Sequence, residues 1–325
     1  MQTPPSSSTV ILGSAAGLGF EQIRPFLASL RRTGYAGDLA LVADRRLRRA
    51  LRREPLARGV VSLPSRLLVP DFRRLRSNRV LWALWRPVQA LAWAAVGLVG
   101  RLPLGEQRRQ ELQGLIAQGV CTPMEARFLT YARFLRGHAY DRVLLTDVRD
   151  VLFQSDPFPQ LPADGLAVSM ETRQYTVATE RHNASWVKQA YGPEMLSRIG
   201  DKPVSCVGVT YGERRAIATY LGLLCAELLR LPAAAARRGG ADTAMHNVLL
   251  WTGRLGRVEL LETLESPVAT LNGLSPALDS AGRLLNRDGS EPSIVHQYDR
   301  VPAITAPLLR SLTGLGDDHR SSENR

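Results

Sequence analysis

Lysine is nearly absent from this chain of 325 residues, although its formal net charge is +12. Only Lys188 and Lys202 are lysines among its 42 basic residues, so the positive charge is carried by 40 arginines. A large excess of positive charge favours anionic partners. Nucleotide phosphates, an acidic membrane surface and nucleic acid are the three classes of partner that this charge leaves open.

Cysteine is also scarce, with three residues and no CxxC spacing among them. This spacing excludes the common cysteine-paired zinc motifs and thiol redox motifs. We expect Cys121, Cys206 and Cys225 to be reduced core residues of a cytoplasmic protein. Residues 1–8 lack the basic segment and apolar stretch of a signal peptide, which fits the same location.

No uninterrupted apolar run reaches the roughly 20 residues that a membrane-spanning helix needs. The longest candidate, residues 80–99, is broken by Arg86, Pro87 and Gln89. We predict that this tryptophan-rich segment forms part of a helical hairpin that covers a sheet. Two alternatives stay open. One is an interfacial helix on the inner face of an anionic membrane, with the arginines of 73–79 beside it, and the other is a true span.

The first part of the chain alternates between strand and helix patterns, and the 45% hydrophobic content is that of a globular protein. Alternation of this kind favours an α/β fold with a mainly parallel sheet. The spacing of Phe128, Tyr131, Phe134 and Leu135 predicts that they face inward from one of the helices. Strands are predicted at 10–12, 39–42, 143–146 and 166–170, helices at 21–32, 45–53 and 124–136, and a basic irregular stretch at 64–78.

Two carboxylates, Asp147 and Asp150, follow the apolar strand Val143–Thr146. Ligands of open α/β sheets collect beyond the carboxyl ends of strands, and paired carboxylates there indicate a divalent metal that carries phosphates. Residues three apart in a straight strand point to opposite faces, so both acids reach one ion only if the chain turns at Val148–Arg149. Asp150 is the predicted direct ligand. Asp147 is a ligand, a ribose contact or a contact through water.

An alternative for this motif is a structural salt bridge between an aspartate and Arg149 at the end of the strand. In the metal interpretation, Arg149 pairs with a phosphate or with one of the acids.

Three glycines follow the first predicted strand. Gly13, Gly17 and Gly19 have GxxxGxG spacing between that strand and a predicted helix, and this pattern resembles that of the short-chain dehydrogenases. Asp44 ends the second strand, where such enzymes bind a ribose. Those enzymes also need a Tyr-xxx-Lys pair, and neither lysine here has a tyrosine four residues before it. We therefore interpret the glycines as a tight turn that lets a nucleotide approach the backbone, and keep an NAD(P) oxidoreductase as an alternative.

Two blocks in the second half of the chain are specific. They are D-V-R-D at 147–150, within a D-x-R-D-V-x-F-Q pattern, and H-Q-Y-D-R at 296–300. These blocks resemble motifs of nucleotide-sugar glycosyltransferases with the GT-A fold. R-F-L-T-Y at 127–131 and D-T-A-M-H-N at 242–247 support the resemblance. It covers about residues 125–300, and the N-terminal strands more weakly.

This resemblance implies a GT-A-like (Rossmann-like) α/β fold, with a mixed, mainly parallel sheet flanked by helices. It implies one domain over residues 8–309 with a helical insertion at about 65–120. Residues 8–160 would bind the nucleotide and 161–309 the acceptor. Residues 310–325 are expected to form a flexible tail.

The resemblance also implies the chemistry. A sugar would move from a nucleotide-sugar donor, in the first place a UDP-sugar, to a hydroxyl of a glycan or other acceptor. Mn²⁺ or Mg²⁺ would stabilise the departing diphosphate. His296 would be a third metal ligand beside Asp147 and Asp150. Asp242 would lie near the reacting sugar, although Thr243 stands where such enzymes usually have Gln. A helix N-cap is the alternative for Asp242.

The remaining candidates surround that centre. Glu171 follows a strand and is either an acceptor-side base or a solvated strand end. Arg300 contacts the diphosphate or forms an ion pair, with Asp299 as one partner. The nucleotide-binding set predicted as a whole comprises Gly13, Asp44, Arg127, Asp147, Arg149 and Arg300.

A third class of function is a basic module that binds a membrane or nucleic acid, with the acids merely structural. Such a module would bind with a steep salt dependence and without regard to metal or nucleotide. The glycosyltransferase interpretation is favoured, and on it nucleic acid is not an expected partner.

Overall fold

The computed structural model describes residues 8–69, 71–236 and 239–314, with the side chains of all but residues 72 and 73. Within these ranges ten strands form a sheet of seven strands and a sheet of three. They are β1 (Thr9–Ser14), β2 (Asp38–Ala43), β3 (Val61–Pro64), β4 (Arg142–Thr146), β5 (Val151–Phe153), β6 (Leu166–Met170), β7 (Ser205–Glu213), β8 (Val258–Leu261), β9 (Val268–Thr270) and β10 (Ile294–His296).

Helices connect most of these strands, and two short 3₁₀ helices lie at Pro55–Ala57 and Tyr298–Arg300. The α-helices are α1 (Phe20–Arg32), α2 (Arg45–Leu51), α3 (Phe72–Ser77), α4 (Arg79–Gly100), α5 (Glu106–Val120), α6 (Pro123–Arg136), α7 (Arg181–Tyr191), α8 (Pro193–Ile199), α9 (Arg214–Arg230), α10 (Ala241–Trp251) and α11 (Pro302–Thr313).

The large sheet has the strand order β3-β2-β1-β4-β7-β6-β8. Only β7 runs antiparallel to its two neighbours, β4 and β6, and the other pairs are parallel. The predicted mixed, mainly parallel α/β architecture is therefore confirmed. Since β2 lies on one side of β1 and β4 on the other, the order reverses at the β1–β4 pair. In open α/β sheets this switch point is where ligands bind.

Alternating burial along the strands produces two cores. Neighbouring residues of a strand point to opposite faces of its sheet. Val10 and Leu12 of β1 join the core that α6, α9 and α10 cover, whereas Ile11 joins the core that α1 covers. Leu144 of β4 lies with Ile11. Strands that are buried on both sides need helices on both faces of the sheet.

The insertion between β3 and β4 is a helical hairpin of α4 and α5, as predicted for the tryptophan-rich segment. Gln89 Nε2 donates to Val120 O at 2.7 Å, and Gln113 Nε2 donates to Val96 O at 2.9 Å. These bonds hold the two helices side by side. The stretch predicted as irregular at 64–78 instead contains α3. Among the described residues, no helix is long and apolar enough to cross a membrane.

The last helix runs further than expected. Helix α11 continues to Thr313, because Leu308 and Leu312 are buried in the core of the small sheet. The predicted tail therefore does not begin at residue 310, and its remainder, residues 315–325, lies outside the described residues.

Gly13 lies inside β1 and not in the turn after it, which corrects the sequence prediction. A Cβ atom at Gly13 would overlap Val148 Cγ1 and lie 2.9 Å from Leu41 Cδ2. Val148 is buried, and it belongs to the bend that follows β4. The missing side chain thus makes room for the bend to pack against the sheet.

We predict that Gly13→Ala lowers the free energy of unfolding by about 1–3 kcal/mol, because the added methyl group overpacks the site occupied by Val148. Gly97→Ala in α4 is the matched control, since its Cβ meets no described atom within 4 Å. That helix substitution should stabilise by about 0.5–1 kcal/mol. Urea denaturation measures both, and a Gly13→Ala protein as stable as wild type would contradict this packing.

Candidate functional site

The carboxyl ends of the parallel strands bring the predicted residues to one edge of the large sheet. Asp147 follows β4, Glu171 follows β6 and Asp44 follows β2. Antiparallel β7 begins at this edge with Ser205. Asp147 N donates to Gly208 O at 2.8 Å, so the first acid stands beside the start of β7.

The turn that the two acids require is present. Residues 148–150 form a bend, and the chain then enters β5, which belongs to the small sheet. The change of sheet redirects the backbone between the acids, so Asp147 and Asp150 approach each other. A continuous strand would have turned them to opposite faces.

The small sheet brings His296 to these acids. Strand β10 pairs with β5 so that His296 lies opposite Val151. The next residue, Gln297, donates its backbone N–H to Asp150 O at 2.7 Å. A left-handed backbone at Gln297, with φ of 59°, ends the strand there. The antiparallel ladder therefore fixes Asp150 beside His296, although 146 positions separate them in the chain.

The three side chains form a compact group of potential ligands. His296 Nε2 lies 3.6 Å from Asp147 Oδ2 and 3.9 Å from Asp150 Oδ1. One ligand atom from each residue lies within 4.8 Å of the other two. His296 Nε2 is buried and makes no hydrogen bond to the described residues. Its other ring nitrogen, Nδ1, lies 3.7 Å from Cys206 Sγ.

A divalent cation fits this donor set. Two carboxylates and an imidazole suit Mn²⁺, and an imidazole beside carboxylates weighs against Mg²⁺. An imidazole nitrogen that is buried without a partner costs free energy, which a bound cation would offset. The Asp147 side chain is 29% exposed, so the group is open to a ligand on one side.

Arg127 of α6 holds one oxygen of Asp147. Its guanidinium donates Nη1 to Asp147 Oδ1 and Nη2 to Asp242 Oδ2, the latter at 3.1 Å. This leaves Asp147 Oδ2 directed at His296. Burial alone would raise the pKa of Asp147, but Arg127 and His296 hold it well below its ordinary value. Asp147 is therefore ionised at neutral pH, as a metal ligand must be.

Arg149 turns away from Asp147. Its Nη2 lies 3.1 Å from Asp299 Oδ2 and 4.0 Å from Asp150 Oδ2. Asp299 thus pairs with Arg149, and the ion pair of Asp299 with Arg300, which was the alternative to a diphosphate contact, is not formed. The Arg300 side chain is exposed. Burial raises the pKa of Asp150, and His296 opposes that shift.

Asp242 does not cap α10. Gly240, with φ of 82°, is the N-cap residue, and Asp242 lies in the first turn of the helix. Its side chain is fully buried, with Oδ2 on Arg127 and no hydrogen bond to Oδ1 from the described residues. Burial raises the pKa of Asp242 although Arg127 lowers it.

Glu171 is buried, so the alternative of a solvated strand end is wrong. Asn272 Nδ2 donates to Glu171 Oε2 at 3.4 Å. Burial raises the pKa of Glu171, while Asn272, His296 and Arg300 lower it. A carboxylate whose pKa lies closer to neutrality is better suited to proton transfer than an exposed one.

The Asp44 carboxylate accepts hydrogen bonds from the backbone of the protein itself. Its Oδ1 accepts from Leu47 N at 3.0 Å and caps α2, and its Oδ2 accepts from Gly17 N at 3.3 Å. These two bonds tie the turn after β1 to the helix after β2. Asp44 therefore has a structural task in addition to any contact with a nucleotide.

Gly208 is a component of the site whose role the sequence did not reveal. A Cβ atom there would overlap His296 Cε1 and lie 2.8 Å from Asp147 Oδ2. The register between β6 and β7 shifts next to it, between Val168 and Ser169. Such bulges redirect a strand beside functional sites, and here the irregularity brings a residue without a side chain beneath the ligands.

Glu125 was also missed, because nothing in a helical pattern marks it as buried beside an acid. It is fully buried in α6 and accepts a hydrogen bond from Thr122 Oγ1. Burial and the nearby Asp242 raise the pKa of Glu125 to about 8. Glu125 is therefore mostly protonated at neutral pH, which reduces the repulsion between the buried acids around Arg127.

Comparison with known proteins adds little to this geometry. No protein-family model and no curated protein matches the chain. Among solved structures, the galactosyltransferase LgtC in complex with donor and acceptor sugar analogues aligns at 12% identity and a TM-score of 0.43. The alignment covers 96% of this chain and 99% of that one. An active-site mutant of LgtC aligns at 11% identity and a TM-score of 0.41, over 89% and 86% of the two chains.

Matches this distant do not indicate the function of this chain, which has to be inferred from its own side chains.

We predict that the stability of the protein falls as the pH rises from about 4.5 to about 8, partly because of Glu125. Its folded pKa of about 8 exceeds its ordinary value of 4.5. In this interval the unfolded chain releases the proton and the folded one keeps it. The free energy of unfolding then drops by up to about 1.4 kcal/mol per pH unit from this group.

Glu125→Gln should flatten that dependence, as thermal unfolding across the same pH interval would measure. Glu194→Gln, at an exposed glutamate, is the control and should leave the slope unchanged. A Glu125→Gln slope equal to that of wild type would show that Glu125 is ionised in the fold.

We predict that Gly208→Ala weakens Mn²⁺ binding by at least about tenfold, because the methyl group displaces His296 and Asp147. Gly222→Ala in α9, where an added Cβ meets no described atom within 4 Å, should leave it unchanged. Titration calorimetry with Mn²⁺ measures both. Unaltered binding by the Gly208→Ala protein would argue against a cation at this position.

Proposed function

We propose that this chain is a metal-dependent glycosyltransferase, which moves a sugar from a nucleotide-sugar donor, in the first place a UDP-sugar, to a hydroxyl of a glycan or other acceptor. One observation supports the proposal above all. A buried nitrogen of His296, which makes no hydrogen bond to any residue that the structure describes, lies 3.6 and 3.9 Å from two carboxylates, at the switch point of a mainly parallel sheet. The motif resemblance of residues 147–150 and 296–300 agrees with it.

The metal ligands in this proposal are Asp147, Asp150 and His296, with Mn²⁺ preferred over Mg²⁺. A bound cation would act as a Lewis acid on the diphosphate of the donor. Arg127 keeps Asp147 ionised and oriented. Cys206, near the other ring nitrogen of His296, orients the imidazole in the way that outer partners of metal ligands do.

On the acceptor side, Glu171 and Asp242 are the candidate catalytic residues. Glu171 follows β6 at the same edge of the sheet and is close enough to His296 and Arg300 for their charges to lower its pKa. It would accept the proton of the acceptor hydroxyl. Asp242, held by Arg127, would contact the donor sugar. The acceptor half would be residues 161–309 of one domain that spans 8–309.

On the donor side, residues 8–160 would bind the nucleotide. The turn after Gly13 and the Asp44 carboxylate lie at the ends of β1 and β2, where a nucleoside would reach them. Arg149 and the exposed Arg300 would contact the diphosphate, since guanidinium groups match phosphate oxygens. Arg149 would then exchange its bond with Asp299 for one with the donor.

The two rival functions account for less of the site. The Tyr-xxx-Lys pair that a dehydrogenase needs is missing from the sequence. A module that only binds a membrane or nucleic acid has no need for two carboxylates and a histidine within 4.8 Å of one another at the ligand-binding edge of the sheet.

We predict that Mn²⁺ and UDP together raise the melting temperature by several degrees, because both bind the folded state only. Asp150→Asn should abolish the joint effect and lower transferase activity at least about 100-fold. Asp164→Asn, at an exposed acid outside the site, is the control and should behave as wild type. A thermal-shift screen of nucleotide sugars with and without Mn²⁺ measures the effect and identifies the donor.

The proposal fails if no nucleotide sugar stabilises the protein in the presence of Mn²⁺. It also fails if Asp150→Asn responds to Mn²⁺ and UDP as strongly as wild type does.

A further inference from the structure

Helix α4 exposes a row of large apolar side chains. Leu84, Leu91 and Leu98 are 66%, 72% and 64% exposed. They are seven residues apart, so they lie on one side of the helix. Val80 and Val88 are also exposed beside them. Large apolar side chains exposed together on one side of a helix mark an interaction site more often than isolated exposed leucines do.

The tryptophans of this helix are not part of that surface. Trp93 is half-buried and donates Nε1 to Leu231 O at 2.8 Å, so it faces the core. Trp85 is half-buried, with its indole nitrogen enclosed. An interfacial helix that meets a membrane was one of the alternatives that the sequence left open for this tryptophan-rich segment. In the fold Trp93 anchors the helix to the protein, and leucines and valines form the exposed side.

Helix α4 and its flanking residues carry basic charge only, and the nearest acids along the chain are Asp71 and Glu106. Residues 72–105 contain six arginines and no aspartate or glutamate. Arg79, Arg86 and Arg101 are exposed along α4 or at its end. Arginine side chains beside an apolar surface can reach lipid phosphates while their aliphatic stems stay with the apolar groups. Each such charge near an anionic membrane strengthens binding.

A second copy of this chain is the competing occupant, since leucines seven residues apart also suit helix pairing. Paired helices usually carry opposite charges beside the apolar seam. Here the α4 helix of each copy would bring arginines and no acid, so like charges would face each other along the seam. An anionic surface complements the same charges.

We propose that the exposed side of α4, formed by Val80, Leu84, Val88, Leu91 and Leu98 with the arginines around them, docks onto an anionic lipid surface. The helix lies in the plane of the interface, with its leucines among the acyl chains and its arginines at the phosphates. The hairpin of α4 and α5 thereby holds the protein at a membrane. This docking requires neither the metal nor the nucleotide sugar.

Co-sedimentation of the full chain with lipid vesicles tests the proposal, without metal or nucleotide. One set of vesicles is pure phosphatidylcholine, and in the other about a third of the lipid is phosphatidylglycerol. The protein should sediment with the anionic vesicles only, and added salt should release it. Leu84→Ser/Leu91→Ser should lower the partition coefficient at least about tenfold, and Arg79→Glu/Arg86→Glu should also weaken binding.

Matched controls use exposed residues elsewhere, so that folding and overall charge are kept comparable. Val61→Ser/Met124→Ser removes two exposed apolar side chains away from α4 and should bind as wild type. Arg45→Glu/Arg49→Glu makes the same change of charge on α2 and should weaken binding less than the α4 pair does. Circular dichroism confirms the fold of each variant.

Three results would overturn the proposal. The first is no sedimentation with anionic vesicles. The second is sedimentation that Leu84→Ser/Leu91→Ser leaves unchanged. The third is a dimer, seen by analytical ultracentrifugation, that this double variant dissociates, because the leucine row would then be an interface between copies of the chain.

Discussion

The pairing of β5 with β10 is the constraint on which the candidate site depends. It places Asp150 beside His296, while the end of β4 supplies Asp147 from the large sheet. Without that ladder nothing would hold His296 beside the two acids, from which it is distant in sequence. The bend at 148–150 lets one segment serve both sheets, and Gly13 and Gly208 make room for it by having no side chains. The site is therefore built by backbone pairing, and its side chains follow from it.

Basic and protonated side chains offset the negative charge of the acids around this pairing. Two carboxylates beside each other repel, and burial makes their charges more costly still. Arg127 offsets this by bridging Asp147 and Asp242, and Glu125 behind them carries a proton. On the other side, Arg149 lies between Asp150 and Asp299. His296 Nε2 faces Asp147 and Asp150 at 3.6 and 3.9 Å and makes no hydrogen bond within the described part of the chain, so a cation fits between these three groups.

The sequence predicted the parts that local patterns determine. Alternating strands and helices yielded the α/β sheet, and a strand that ends in two acids, with three-residue spacing, required the turn that the fold contains. The inward face of α6 also follows from its periodicity. Local patterns could not predict that β5 leaves the large sheet or that it pairs with a strand near the end of the chain. His296 entered only by resemblance.

Other errors have the same origin. Gly13 was assigned to a turn because glycines favour turns. In the structure the missing side chain of Gly13 makes room for Val148, which is distant in sequence. Asp242 was a plausible cap by position, but a buried arginine from α6 takes its side chain. Glu125 and Gly208 carry no local signal, because burial beside another acid and a strand irregularity depend on tertiary contacts.

Anomalous X-ray scattering from a crystal grown with Mn²⁺ and UDP tests the central claim most directly. The account predicts one manganese peak bonded to Asp147, Asp150 and Nε2 of His296, with the diphosphate on its open side. A structure in which this position holds no manganese, or in which the ion binds elsewhere while His296 stays unpaired, would contradict it.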